Sequence, residues 1–268
     1  MSVFELSDKE FKKFQVFIYK EAGISISDRK KQLVLNRLSR RLRHYDLKKF
    51  DQYLELVHGD THSHEKQTLI DLLTTNETYF FREKKHFDFI QNFILKSFRG
   101  RRFRCWSAAC SNGAEPYSLA MVINESLGPG RWEILGTDIS SGVIEKARAA
   151  KYDISVKEKI PRDYLIKYCL KGVRGEDGIL MIDPKITAPV DFKRLNLNGH
   201  INIEGKYDLI MLRNIMIYFD VQTKQKLVEN LISRLHPGGY LIIGHSETLN
   251  GVSDKLKMIR PSIYRLGT

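Results

Sequence analysis

The sequence predicts an α/β protein: a small all-helical domain over residues 1–75, then a Rossmann-like domain over 76–268. Three observations carry that prediction. Residues 1 to about 75 place apolar side chains at helical spacing and show no alternating strand pattern. From about residue 100, short apolar runs alternate with helical stretches, the rhythm of a parallel sheet covered on both faces. Residues 155–192, with Pro161, Gly172, Gly175, Gly178, Pro184 and Pro189, break that rhythm and read as a small inserted antiparallel unit.

Taken in order, the first helix follows Ser7, which forms a capping box with Glu10, and carries Phe11, Phe14, Phe17 and Ile18 on one face. A second is expected from near Asp28, with Leu35, Leu38 and Leu42 on its stripe. A third runs through Phe50, Tyr53, Leu54 and Val57, and a fourth through Leu69, Ile70, Leu72 and Leu73. Strands are expected at 101–108, 132–138, 207–214 and 240–246. Helices are expected at about 114–126, 141–150 and 221–235, the last closed by a turn at His236-Pro237-Gly238-Gly239.

Composition narrows the function classes. Hydrophobic residues make up 42% and charged residues 28% of 268, the balance of a globular protein with a core. No apolar run approaches the roughly 20 residues that span a bilayer, and the N-terminus has no signal-peptide core, so a cytoplasmic protein without membrane insertion is expected. The cysteines, Cys105, Cys110 and Cys169, form no metal-ligand spacing and read as reduced thiols. The net charge of +12 suits an anionic partner and favours a monomer.

In a doubly wound sheet the ligand lies beyond the carboxyl ends of the strands. Here the first strand ends in Ala108-Ala109-Cys110-Ser111-Asn112-Gly113, small residues that let a ligand approach the backbone. There is no GxGxxG, which disfavours a pyrophosphate site and leaves a nucleoside without phosphates. Asp138 ends the second strand, where an acid either accepts from ribose hydroxyls or serves the following helix as a cap.

Four blocks then resemble the CheR family of chemotaxis receptor methyltransferases. They are Thr75-Asn76-Glu77-Thr78-Tyr79-Phe80-Phe81-Arg82-Glu83, then Trp106-Ser107-Ala108-Ala109-Cys110-Ser111 with Gly113 and Glu115-Pro116-Tyr117-Ser118. Leu212-Arg213-Asn214-Ile215-Met216-Ile217-Tyr218-Phe219 and Gly244-His245-Ser246-Glu247 complete the set, in family order. Asn112 and Ala114 depart from the family's usual Thr and Glu, which points to altered cofactor affinity and not to loss of the site. The resemblance implies that Asn76, Thr78, Arg82, Glu115, Asp138, Asn196, Leu197, Arg213 and Asn214 contact S-adenosylmethionine or line its pocket. S-adenosylhomocysteine would be the product. Asp138 would hold the ribose, with Asn196 and Leu197 near the adenine. Arg82 would pair with the methionine carboxylate or orient the acceptor glutamate. Tyr218 would lie closest to the transferred methyl group.

The implied reaction is attack by a glutamate oxygen on a sulfonium methyl. A free glutamate has a pKa of about 4.3 and is already ionised, so no general base is needed. Alignment alone can recover roughly 7–11 kcal/mol of barrier. Opposite charges cancel as the bond forms, so a neutral hydroxyl suits the acceptor better than a tight cationic clamp. Tyr218 and Arg82 are therefore the expected positioning groups.

Residues 29–49 hold nine Lys and Arg, among them Arg37, Arg40, Arg41 and Arg43, against Asp46 alone. Such a run is either a solvated helix face or a docking surface. Glutamate-rich helical bundles are the family's partners, which favours docking by these four arginines. His58, His62 and His64 read as a polar loop, and no metal is expected. Two rivals stand beside the main reading. A nucleic-acid methyltransferase would carry an N/D-P-P-Y-type motif where this chain has Arg213-Asn214-Ile215-Met216. A non-catalytic sensor of the nucleoside would have no use for Arg82 and Tyr218.

Overall fold

In the computed structural model, which describes residues 4–59 and 63–267, the first helix starts at the expected cap. The Glu10 amide donates to the Ser7 hydroxyl at 3.2 Å, and the Ser7 amide donates to the Glu10 carboxylate at 3.0 Å. The other Glu10 oxygen accepts from the amides of Phe50 and Asp51, tying α1 (Asp8–Ala22) to the start of a later helix. A 3-10 turn at Asp28–Lys30 leads into α2 (Lys31–His44), which buries Val34, Leu38 and Leu42. Next come α3 (Phe50–His58) and α4 (Ser63–Leu73). His62 lies outside the described residues.

A short helix, α5 (Lys85–Phe89), runs on through a π-helical turn, Ile90–Leu95, to the first strand. Then follow β1 (Phe103–Ala108), α6 (Ala114–Leu127), β2 (Trp132–Asp138) and α7 (Ser141–Ala149). The inserted unit comprises β3 (Lys151–Asp153), α8 (Arg162–Tyr168), β4 (Cys169–Lys171) and β5 (Ile179–Ile182), an antiparallel sheet in the order β3-β5-β4. After α9 (Pro184–Thr187) come β6 (Val190–Arg194), β7 (Tyr207–Leu212), α10 (Val221–Ser233), β8 (Leu235–Ile243), β9 (Leu256–Arg260) and β10 (Ile263–Leu266).

The main sheet has the order β6-β2-β1-β7-β8-β10-β9. Its first five strands are parallel, and β10 and β9 close the edge antiparallel. The chain moves outward from β1 to β2 and β6, then returns to the other side of β1 with β7. That reversal puts the topological switch point at the carboxyl ends of β1 and β7. All six residues of β7 are buried, as a central strand covered on both faces requires. One core joins α1–α4 to one face of this sheet through Phe14, Leu38, Ile210, Leu212 and Leu241. The other face packs on α6 and the insert through Phe103, Tyr117, Leu209 and Ile242.

Two local expectations need correction. The inserted sheet starts at Lys151 and ends by Ile182, and residues 190–192 belong to β6 of the main sheet. His236–Gly239 is not a turn before the strand but a bulge inside β8. Tyr207 pairs with Leu235 and Leu209 with Tyr240, so the intervening residues leave the ladder at Pro237 and at Gly238, whose φ is 76°. The β9–β10 hairpin and the helical segment 85–95 have no counterpart in the sequence reading.

Candidate active site

The backbone around the switch point is held in conformations that cost energy. Ala109 (φ 65°), Ser111 (φ 50°) and Asn214 (φ 59°) are left-handed although none is glycine, each at about 1–3 kcal/mol. Gly113, at φ 87°, caps α6, and a Cβ there would lie 2.9 Å from that of Ala147, so only glycine fits. Fixed partners impose these turns. The Ser111 amide donates to Asp138 Oδ2 at 2.9 Å, and the Asn214 amide donates to Glu247 Oε2 at 2.9 Å.

These turns open a single cavity. It is lined from the sheet by Ala109–Ser111, Glu115, Asp138 and Ile139, by Leu195–Leu197, and by Arg213–Ile215 and Ile217–Phe219. The helical domain and the linker supply another wall, with Ile24, Ser25, Ile26, Lys30 and Leu33 and the run Leu73–Thr78 plus Arg82. All nine residues expected near the cofactor, and Tyr218, therefore border one space. The helical domain's share of that wall was not legible from sequence. It is anchored by the Ser25 amide donating to the Tyr218 carbonyl at 2.8 Å, and by Asn196 Nδ2 donating to the Glu21 carbonyl at 2.6 Å.

Asp138 is 6% exposed, and its oxygens accept from the amides of Ser111 and Ser140. Burial raises its pKa, and those amide bonds work against the rise. Both sequence readings of Asp138 meet here, since the carboxylate braces the turn before α7 and also faces the cavity. Asn196 is held by Glu21 and by the Asn198 amide, beside buried Leu197. Asn76 donates to the Thr74 hydroxyl, and its carbonyl accepts from Ser111 Oγ at 2.8 Å. The Asn112 side chain accepts from the Ala114 amide at 3.2 Å just ahead of α6, and Ala114 is buried. Burial pushes the Cys110 thiol well up, so it is no nucleophile at neutral pH.

Arg213 is the most constrained charge. Its side chain is 3% exposed and bonds Glu83 through Nε and Nη2, Glu115 through Nη1 at 2.7 Å, and the Arg82 carbonyl. Glu115 also accepts from Ser107 Oγ at 2.7 Å. Glu83, to which the sequence assigned no role, further accepts from Asn214 Nδ2 and from the His245 amide. Burial would raise its pKa, but Arg213 and those donors outweigh it and hold it below the usual carboxylate range. Glu247 is a second unassigned acid. It accepts from the amides of Gly244, Asn214 and Met216, fixing the loop that carries Tyr218. Both acids stood inside the quoted blocks. Glu83 also gathers with His86 and His245 within 4.8 Å. Its oxygens serve Arg213 and Asn214, burial with Arg213 nearby pushes His86 down to about 3, and the buried His86 Nδ1 lies 3.4 Å from Glu83 with no hydrogen bond of its own among the described residues.

Of the four arginines expected to dock a partner, two point inward. Arg37 Nη1 donates to the carbonyls of Leu72 and Thr74, capping α4 and fixing the linker to the cavity. Arg41 forms a bidentate pair with Glu65, which is fully buried and also accepts from Tyr45 and Tyr53. Arg40 and Arg43 remain exposed.

The residues present fit a nucleoside sulfonium. An anchored acid ends β2, and the cavity is also lined by apolar Ile139 and Leu197 and by polar Asn76, Thr78, Arg82 and Glu115. A sheet of this order with such a cavity at its switch point is the frame of a Rossmann-like nucleoside-binding domain. The chain belongs to the CheR methyltransferase family. Residues 76–264 match the family's SAM binding domain and residues 9–74 its all-alpha domain. It is 38% identical to the chemotaxis protein methyltransferase of Escherichia coli K12 over 97% of this chain and 92% of that one. It is 36% identical to that of Borreliella burgdorferi, covering 97% and 95%. A looser likeness, at TM-score 0.44 and 12% identity, covers 78% of this chain and all of the N-methyltransferase NodS of Bradyrhizobium japonicum in complex with S-adenosylhomocysteine.

Proposed function

We propose that the protein transfers the methyl group of S-adenosylmethionine to glutamate side chains of methyl-accepting chemotaxis receptors, giving methyl esters, as a cytoplasmic monomer. Its relatives carry the name chemotaxis protein methyltransferase, and among the described residues no helix is long and apolar enough to cross a membrane. One observation of the site carries the choice of acceptor. Of the three carboxylates among the described residues that line the cavity, Glu115 is committed to Arg213 and Ser107 and Asp138 to two backbone amides, while Glu77 is exposed. Among the described residues no histidine lines the cavity. An amine or alcohol would need a base to become nucleophilic, whereas a glutamate with a pKa of about 4.3 arrives ionised.

When bound, S-adenosylmethionine supplies a methyl group on a positively charged sulfur. Asp138, braced by Ser111 and Ser140, would receive the ribose hydroxyls, and Leu197 with Asn196 would flank the adenine. Asn76, Thr78 and Glu115 would surround the methionine end. Tyr218 would align the acceptor carboxylate without a formal charge. Arg82 would pair with the methionine carboxylate or serve as the second positioning group for the acceptor. Arg213 and Asn214 would act one step back, shaping the wall through Glu83, Glu115 and Glu247.

The test is incubation with methyl-labelled S-adenosylmethionine and receptor signalling domains, counting alkali-labile label in the receptor. Label that disappears when the acceptor glutamates become alanine supports a carboxyl methyltransferase. Confirmed cofactor binding with no transfer to receptor would defeat the proposal.

A further inference from the structure

Three cations stand at the rim of the cavity or beside it with no ion pair among the described residues. Lys30, from the helical domain, lines the cavity with its Nζ 4.9 Å from the centre of the Tyr218 ring. Arg82 also lines it; its guanidinium lies 5.8 Å from the Tyr79 ring centre, and Nη1 donates to the Glu77 carbonyl. Lys159 approaches the same Tyr79 ring, at 5.6 Å, from the end of the 3-10 turn Ile154–Lys159 in the insert. Some lysines elsewhere take carboxylate partners, such as Lys13 with Asp51, Lys31 with Asp8, Lys66 with Glu21 and Lys151 with Glu176. Of the acids lining the cavity only Glu77 is exposed. Tyr79 itself is 45% exposed, a flat aromatic surface held between two cations.

We infer that Tyr79, Arg82 and Lys159 form a docking ridge for the acceptor segment, on the insert's side of the cavity mouth. Its occupant is an acidic helix whose acceptor glutamate is flanked by further carboxylates. The inference rests on the proposed receptor methylation and deepens it. Charge complementarity selects the occupant: unpaired cations beside the mouth offer direct partners to carboxylates next to the acceptor, and they steer an anionic segment in. Tyr79 adds apolar area against which the methylene stems of those side chains can lie. None of the three cations is an α2 arginine, so the basic surface reaches the linker and the insert as well as the helical domain.

The experiment compares Lys159→Glu, Lys159→Gln and Tyr79→Leu with the parent enzyme. Initial rates are measured against the concentration of receptor cytoplasmic domain at saturating cofactor, and cofactor affinity is measured by calorimetry. Reversal of one rim charge should raise KM for receptor about tenfold at low ionic strength, and neutralisation about threefold, with kcat and cofactor Kd unchanged; the difference should shrink at about 0.5 M salt. Tyr79→Leu should raise KM severalfold with less dependence on salt. Lys185→Gln, at a lysine that sits over Tyr168 but is paired with Asp183, is the control and should leave KM alone. An unchanged KM in Lys159→Glu, a rise that persists at high salt, or a parallel loss of cofactor affinity would overturn the ridge. Failure of the parent enzyme to methylate receptor would instead defeat the proposed function itself.

Discussion

Arg213→Met removes a guanidinium whose side chain is 3% exposed and leaves Glu83 and Glu115, at 15% and 12%, without their cation. Breaking a buried pair by deleting one partner costs about 3–5 kcal/mol. For a chain of this size each kcal/mol moves Tm by about 2–4 °C, so a fall of about 6–20 °C is expected at neutral pH. The pH dependence has a definite sign. In the parent, Glu83 is depressed below the usual carboxylate range because Arg213 and its donors outweigh burial. Such a group contributes stability above its unfolded pKa, about 4.3, and loses it as pH falls through the folded value. Without the guanidinium, burial dominates and Glu83 rises, so the variant is penalised most where Glu83 must stay ionised. The gap between variant and parent should therefore be widest near pH 7.5 and narrow towards pH 5. Thermal unfolding followed by circular dichroism at both values, without cofactor, measures it. Equal Tm with only cofactor affinity lost would refute the argument and make Arg213 a ligand instead of a brace.

Other perturbations follow from the same geometry. Tyr218→Phe should lower kcat about ten- to a hundredfold with cofactor Kd unchanged, by labelled transfer and calorimetry, since misalignment of the reactants costs rate and not binding. Asp138→Ala should weaken cofactor binding about ten- to a hundredfold by calorimetry, because bonds to an ionised acceptor contribute about 1.5–3 kcal/mol. Arg41→Ala should cost about 3–5 kcal/mol in chemical denaturation by stranding fully buried Glu65, whereas exposed Arg40→Ala should stay within about 0.5 kcal/mol. Glu247→Ala should lower both stability and kcat, since three loop amides lose their acceptor.

What was legible divides by physical range. Phe11, Phe14 and Phe17 announce a helix because their spacing is set within one element, and YDLIML announces a central strand because both its faces are buried. Asp138 was legible through its place at the end of β2. Contacts across the chain were not. Glu83 and Arg213 lie 130 residues apart, and nothing in either local pattern reveals that they form an ion pair. A count of basic residues in α2 gives charge but no direction, so Arg37 and Arg41 were grouped with Arg40 although they turn inward. The β9–β10 hairpin escaped because its strands have five and four residues, β9 is largely exposed, and Pro261 and Ser262 separate them.

The arrangement of charge bears on turnover as well as binding. Inside the cavity Arg213 is neutralised by Glu83 and Glu115, and buried Asp138 has no ion pair among the described residues, so the interior can receive a positively charged cofactor. At its mouth Lys30, Arg82 and Lys159 favour an anionic acceptor. In the proposed transfer both charges vanish together, because the sulfur becomes a neutral thioether and the carboxylate a neutral ester. Each product therefore loses the interaction that drew its precursor in. Strong attraction to the separated charges would deepen the ground state, which slows the chemical step. Placing Arg82 and Lys159 beside the exposed Tyr79 ring, where water screens them, keeps most of their effect in steering and little in a clamp on the reacting oxygen. Tyr218, on the loop fixed by Glu247, is left to set the angle of attack.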